Sequence, residues 1–466
     1  GCAVSAVRGE AQKHRKQVAT LHADSTTVSC ILVKMVRVLI LLHSLLLPTI
    51  SSGFVATNDR RGNRQTGQFA SRSDSDESAQ LASSSSSSQL VDRRSALEQS
   101  GIALSSLLLA QSMGVGDALA LGDYDDSKKK RILITGANSG IGLDAAQRMA
   151  LRGHEVTLAC RTLEKAKGAV EKIKNNVAND ADDAFYAIEL IKSIKLVPME
   201  CDLADLASVG AFAKQLDGKF DAVCYNAGLA RNTEAKDVAR TKQGFELTVG
   251  TNHLGHFYLN RLLMPHIAES GRIVVTASSV HDPDSAGGAQ GVPATLGQLE
   301  GLERAVSSGT GQFDMVNGGS FNADKAYKDS KLCNILFTRE LQRRLDASGS
   351  NIKVNSFTPG LIVSTGLFRD QNQLFTKVFD VAATNLLKVG ESISYGGGCL
   401  EYVALSEKVG EKGGLYYYSP PGSSKYGEEA YGKQFTLGEV SNEARASDAG
   451  LAKRFWELSD KLVGAA

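Results

Sequence analysis

Residues 131–142 read "RILITGANSGIG" and lead directly into "LDAAQRMALRG". A short β-branched run passes here into a stretch of helix formers, so Gly136, Gly140 and Gly142 fall in a strand-to-helix turn. Glycine lets the backbone turn tightly at such a place and approach a pyrophosphate, whose charge the helix N-terminus then favours. A glycine-rich turn alone is a weak signal; the strand before it and the helix after it make it credible. Asn138, Ser139 and Ile141 stand among these glycines and count with them as candidate cofactor contacts.

From Lys129 to the end of the chain, short β-branched runs alternate with longer helical stretches, the pattern of βαβ units and a parallel sheet. One α/β domain over 123–466 is the economical reading. The second strand, "EVTLAC", ends at Arg161, where an enzyme choosing NAD would usually carry an acid for the ribose 2'-hydroxyl. Arg161, with Lys165 one helical turn on, suits a 2'-phosphate instead, so the expected cofactor is NADPH. "MECDL" closes a third strand with Asp202, which can meet an adenine edge. "DAVCYNAG" closes a fourth with Asn226, Ala227 and Gly228 beside the cofactor. Both lie at carboxyl ends of strands, where open α/β sheets bind ligands.

Composition agrees with a packed domain. Of 466 residues 42% are hydrophobic, enough for a sizeable core. The 52 Lys and Arg are balanced by 51 Asp and Glu, so no net field draws nucleic acid or an anionic membrane to the chain, and local basic groups must carry any anion binding. Cys160, Cys201, Cys224, Cys333 and Cys399 are scattered singly, without a CxxC pair or a His spacing for zinc. They read as buried thiols, and no metal is expected.

The N-terminal part reads differently. Residues 1–34 precede the first methionine, Met35, and have no readable role. "MVRVLILLHSLLLPTISSGFVA" follows signal-peptide grammar: a basic residue, an apolar run too short to span a bilayer, and small residues before Phe54. A Ser-rich segment follows, and together they resemble the two-part plastid presequence of algae with secondary plastids. A second apolar run, "SGIALSSLLLAQSMGVGDALAL", comes after Arg93 and Arg94 and ends in Ala118, Leu119 and Ala120. It reads either as a thylakoid transfer signal or as an amphipathic or buried helix packed on the domain behind it. Residues 35–122 are therefore expected to be a targeting presequence, and the destination a plastid, in the stroma or at the thylakoid.

In "AYKDSK", residues 326–331, Tyr327 and Lys331 share one helix face. A free phenol, with a pKa of about 10, is a poor proton relay at neutral pH, and an ammonium one turn away favours its phenolate. In this order and spacing "TGANSGIG", "NAG", "TNHLGHF", "TASS" and "YKDSK" resemble the short-chain dehydrogenase/reductase superfamily. The resemblance implies a Rossmann-type doubly wound sheet. It also implies Tyr327 as the acid, with Lys331 as its activator and ribose contact. Ser279, read as closing the strand "GRIVVTASS", would hydrogen-bond a substrate oxygen. Asn252 would hold a relay water, and Pro359 and Gly360 would touch the cofactor. His253 and His256 are expected to be structural, and Cys224 and Cys333 to be core residues.

The chain between Ser279 and Tyr327 is far longer than such a fold needs, and a connection that long is usually functional. Within the insertion 280–325 and just beyond it, "PATLGQLEGLE" and "FDMVNGGSFNADKAYKDSKLCN" resemble the light-dependent protochlorophyllide oxidoreductases, which reduce one double bond of a chlorophyll precursor with NADPH. The resemblance continues through "GFELTVGTNHLGHF", "TPGLIVSTGLFRDQ" and "FWELSDKLVG". Three positions depart from that pattern. Leu361 stands where those enzymes carry a cysteine, Leu229 and Ala230 where they place a tyrosine, and Val280 at their threonine.

Three activities are thus expected in turn: an NADPH-dependent tetrapyrrole reductase, a light-independent carbonyl or alcohol oxidoreductase, or a pigment and NADPH binding protein at the thylakoid surface. The partner expected is a small molecule, and the assembly a homo-oligomer. "GLYYYSPP" reads as a late strand whose aromatics pack or line the pocket, and Trp456 as the anchor of the terminal helix.

Overall fold

The computed structural model describes residues 124–181, 183–363, 365, 390–426, 435–438, 440–441, 444 and 449–464. The expectations for residues 1–34 and 35–122 lie outside the described residues.

Strand β1 (Arg131–Thr135) leads into helix α1 (Gly140–Leu151), and β2 (Glu155–Cys160) into α2 (Leu163–Asp180) and α3 (Ala184–Ser193). Then follow β3 (Lys195–Glu200), α4 (Leu206–Ala213) and β4 (Phe220–Tyr225). A short helical turn (Leu247–Val249) and a π-helical turn (Gly250–Leu254) run into α5 (Gly255–Leu263). Strand β5 (Ile267–Thr276) comes next, then α6 (Glu300–Ser307), the long α7 (Ala323–Ala347) and β6 (Lys353–Phe357). Helix α8 (Ile393–Leu405), β7 (Tyr416–Tyr418), β8 (Thr436–Leu437) and α9 (Ala449–Gly464) complete the chain.

The strands form one sheet in the order β3-β2-β1-β4-β5-β6-β7-β8. Strands β1 to β7 pair in parallel and β8 antiparallel to β7. Order reverses beside β1, which pairs with β2 on one side and β4 on the other. The crevice at the carboxyl end of these strands is where such a sheet takes a ligand.

Side chains alternate across the sheet into two cores. Ile132, Ile134, Val156, Leu158, Ala222 and Cys224 face α1, α2 and α8, meeting Met149, Ile173 and Leu400. Leu133, Val223, Ile273, Val275 and Val354 face the other way, toward Phe212 of α4, Phe257 of α5 and Leu336 of α7. Burial on both faces explains why the strands read as nearly continuous apolar runs.

The insertion 280–325 thickens the second core. Leu296, Leu299, Leu302, Phe313 and Val316 are buried with it, and Phe455, Leu458 and Leu462 of α9 join them. Trp456 lies parallel to Phe337, ring centroids 5.8 Å apart, so it anchors the tail as its helical spacing suggested. Polar tethers fasten the insertion to the start of α7. Lys325 Nζ donates to the Thr295 carbonyl (2.7 Å) and to Asp329 Oδ2 (2.5 Å), while Asp329 Oδ1 accepts from Thr295 N (3.0 Å). Lys328 Nζ donates to the Gln290 and Val292 carbonyls. Among the described residues no helix is long and apolar enough to cross a membrane.

Candidate active site

At the crevice, Gly136 adopts φ +69°, and a Cβ there would lie 2.8 Å from Ala227 Cα. A Cβ on Gly142 would lie 2.5 Å from Asn226 Nδ2 and 2.7 Å from the Gly136 carbonyl oxygen. Only glycine lets the turn and the α1 N-terminus close against the end of β4. Thr135 holds that junction: its Oγ1 accepts from Asn226 N (2.9 Å) and Ala227 N (3.0 Å).

The N-terminus of α1 differs from those of five other helices. Thr162, Asp183, Asp205, Asn322 and Ser392 each cap their helices with a side chain, whereas Ser139 makes no cap bond to α1. The first N–H groups of α1 are thus left for an anion, and they open into a cleft lined by Asn138, Ser139, Gly140 and Ile141. Arg161, Lys165, Asp202 and Leu203 line the same cleft. A helix end without a side-chain cap, in a cleft that two cations also line, fits a phosphate-bearing cofactor.

Asn226, Ala227, Gly228, Pro359 and Gly360 line the cleft as well. Tyr327 and Lys331 line the same cleft. Lys331 is 4% exposed; its Nζ donates to the Thr276 carbonyl (3.1 Å) and lies 5.5 Å from the centre of the Tyr327 ring. Loss of hydration lowers the Lys331 ammonium to about 8. Burial raises the Tyr327 phenol above its ordinary value, so the resting phenol keeps its proton and stands as an acid.

One expected site residue is corrected. Strand β5 ends at Thr276, and Ser278 continues extended (φ −164°, ψ 150°), so by alternation Thr276 and Ser278 face one way and Ser279 the other. Thr276 and Ser278 line the cleft; Ser279 opens a short 3₁₀ turn and its carbonyl accepts from Ser285 Oγ (2.7 Å). The serine that hydrogen-bonds Tyr327 through its side chain is Ser278. Asn252 likewise does not line the cleft. Its Oδ1 accepts from Leu229 N (2.8 Å), and its Nδ2 donates to the Leu229 carbonyl (2.9 Å) and Ser330 Oγ (3.0 Å). The amide is committed to joining the β4 loop to α7. Gly142 does not line the cleft either; it packs against Asn226.

Both histidines of "TNHLGHF" are internal. His256 Nδ1 lies 3.0 Å from the Asn252 carbonyl and its Nε2 lies 2.9 Å from Thr135 Oγ1. A carbonyl only accepts, so the Nδ1 proton points to Asn252 and Nε2 accepts from Thr135. His253 bonds Ser459 Oγ (3.0 Å) and packs on Phe455. Burial pulls His253 down to about 3 and His256 to about 4, so both are neutral. Cys160 and Cys201 are pushed up by burial to about 11 and about 12, and Cys224 higher still, as expected of core thiols. Tyr416 and Tyr417 pack in the two cores and do not line the cleft. Sequence reading missed Thr251, Thr276, Leu203, Ile362 and Thr365 as lining residues.

The family model described as short chain dehydrogenase matches residues 130–290. The chain is 34% identical over 394 residues to the chloroplastic protochlorophyllide reductase of Cucumis sativus, covering 83% of this chain and 90% of that protein. It belongs to the short-chain dehydrogenase/reductase family, close to the protochlorophyllide reductases. Against chloroplastic protochlorophyllide reductase A of Hordeum vulgare the identity is 34% over 343 residues, covering 72% of this chain and 80% of that one. Against chloroplastic protochlorophyllide reductase A of Arabidopsis thaliana it is 33% over 347 residues, covering 73% and 78%. The protein is thus an oxidoreductase acting on a small molecule, of a family that works with a nicotinamide cofactor. Leu229, Val280 and Leu361 line the cleft of this oxidoreductase, so the three departures from the reductase pattern all fall at the site.

Proposed function

We propose that this oxidoreductase uses NADPH to reduce protochlorophyllide or a closely related tetrapyrrole in a plastid, with 123–466 as its catalytic unit. The observation that carries the reading is a single cleft lined both by an uncapped helix N-terminus with the two cations Arg161 and Lys165 and by Tyr327, Ser278 and Lys331. Arg161 and Lys165 would hold the 2'-phosphate, and the N–H groups at Ser139, Gly140 and Ile141 the pyrophosphate. Asp202 would meet the adenine; Asn226, Ala227, Gly228, Pro359 and Gly360 would flank the nicotinamide half. When bound, NADPH supplies the hydride. Tyr327 gives the proton, Ser278 orients it, and Lys331 binds the ribose and supplies the positive charge that steadies the phenolate left behind. The plastid location rests on the chloroplastic relatives and on the presequence reading of 35–122.

Illumination of the full chain with NADPH and protochlorophyllide after a dark incubation tests this. A red shift of the pigment absorption after the light step is expected. NADPH binding without pigment binding or conversion would defeat the tetrapyrrole assignment.

A second reading is favoured by the three apolar side chains Leu229, Val280 and Leu361. Together with Ser278 and Tyr327 they make a wall like that of a carbonyl reductase working in the dark. Oxidation of NADPH by hydrophobic ketones or quinones without light is its signature. Tight pigment binding with no turnover under either condition would instead indicate a binding protein.

A further inference from the structure

His281 closes the 3₁₀ turn after Ser278 and is 0% exposed. Its Nδ1 lies 2.7 Å from the Ser278 carbonyl oxygen, which also accepts from the His281 backbone N–H (3.2 Å). Its Nε2 accepts from Ser441 N at 3.4 Å, and Ser441 Oγ in turn accepts from Ala444 N at 3.1 Å. The ring stands edge-on to Tyr416, centroids 5.1 Å apart. An imidazole thus spans the gap between the turn that carries the cleft serine and the chain segment before α9.

A carbonyl cannot donate, so the short Nδ1 contact requires the proton on Nδ1. Nε2 is then a bare acceptor, which is what the Ser441 N–H needs. The two contacts agree on one tautomer, and that tautomer holds the Ser278 carbonyl from a second direction. With its carbonyl held twice, the Ser278 backbone has little freedom to swing its hydroxyl away from Tyr327.

We propose that His281 is a positioning residue of the reaction centre, fixing Ser278 against Tyr327 and tying that geometry to the segment around Ser441. This rests on the reading of Ser278 and Tyr327 as the reacting pair. His281 itself lines no part of the cleft and transfers no proton.

The test uses the full chain and two variants. His281→Leu keeps the bulk and removes both polar contacts, whereas His281→Asn keeps a donor near the position of Nδ1. Expected for His281→Leu is a fall in kcat of about ten- to a hundredfold, the scale of a small misplacement of a reacting group, with the Kd for NADPH and the substrate KM unchanged. His281→Asn should recover most of that kcat, a rescue that a purely structural role would not give. Wild-type kcat in His281→Leu, an equal loss in both variants, or a loss matched by NADPH affinity would overturn the proposal.

A second measurement does not depend on the substrate. In ¹⁵N-histidine-labelled protein, the resonance missing from His281→Asn should show its proton on Nδ1. A proton on Nε2 would leave nothing to donate to Ser278 and would also overturn the proposal. Should the wild-type chain turn over no pigment, the functional reading fails, and this tautomer signal alone decides whether His281 holds Ser278.

Discussion

The two ends of the proposed reaction path are built in different ways. At the proposed cofactor end, the glycine turn, Arg161 and Lys165 come from one continuous β1-α1-β2-α2 stretch. At the proposed reacting end, Ser278 comes from beyond β5, and Tyr327 and Lys331 from α7. An entire insertion separates Ser278 from Tyr327 in sequence. Motif spacing can therefore specify the first end, whereas the second depends on how a buried segment packs and is tied to α7.

The sharpest way to break this comparison is Tyr327→Phe. It should reduce turnover by about 10²- to 10⁴-fold, the usual worth of a general acid, while NADPH binding stays at the wild-type level. A parallel loss of cofactor affinity would mean that the two ends are not separable. Next in size is Asp329→Ala, which strands the buried Lys325 ammonium and frees Thr295 N. Removing one partner of a buried pair costs about 3–5 kcal/mol, to be read from urea unfolding of the full chain. The double replacement Lys325→Met with Asp329→Leu should restore much of the loss. An unchanged midpoint in Asp329→Ala would show that apolar packing alone holds the insertion.

At the other end, Arg161→Ala removes one charge-assisted contact, worth about 1.5–3 kcal/mol. NADPH affinity should fall by roughly ten- to a hundredfold and NADH affinity should not, by isothermal titration. Equal losses for both cofactors would remove the 2'-phosphate assignment.

The smallest effects concern pH. Because the Lys331 ammonium is lowered to about 8, turnover should decline as pH rises through that value, and Lys331→Met should lack this limb as well as most activity. The stability sign runs the other way. Between pH 8 and 10.5, the unfolded value of the lysine, the unfolded chain binds more protons than the folded one, so stability from this group rises with pH. Below that window the cost of burying the charge is fully present, and Lys331→Met should unfold at higher urea than wild type at pH 7.

Much of the fold was legible because β-branched runs and helical runs alternate with little ambiguity. Gly136 and Gly140 line the cleft, and so do Arg161 and Lys165. The serine was misplaced by one residue for a physical reason. "TASS" gives no sign of where the strand stops, and in extended chain one step reverses the face a side chain presents. Counting by two from Thr276, whose carbonyl holds Lys331, would have favoured Ser278. The partners of Asn252, Leu229 and Ser330, lie far away from it in sequence, so no motif names them.

By itself, then, the amino-acid sequence determined the parallel α/β scaffold, the glycine turn after β1 and the Tyr327 and Lys331 pair, since each is written in residues no more than a helix and a strand apart. Only the tertiary structure decided which serine meets Tyr327, what Asn252 and His281 hold, and that the insertion is core and not rim. Those outcomes depend on contacts across long stretches of chain, where burial and the need to satisfy every buried polar group choose among arrangements that local propensity leaves equal.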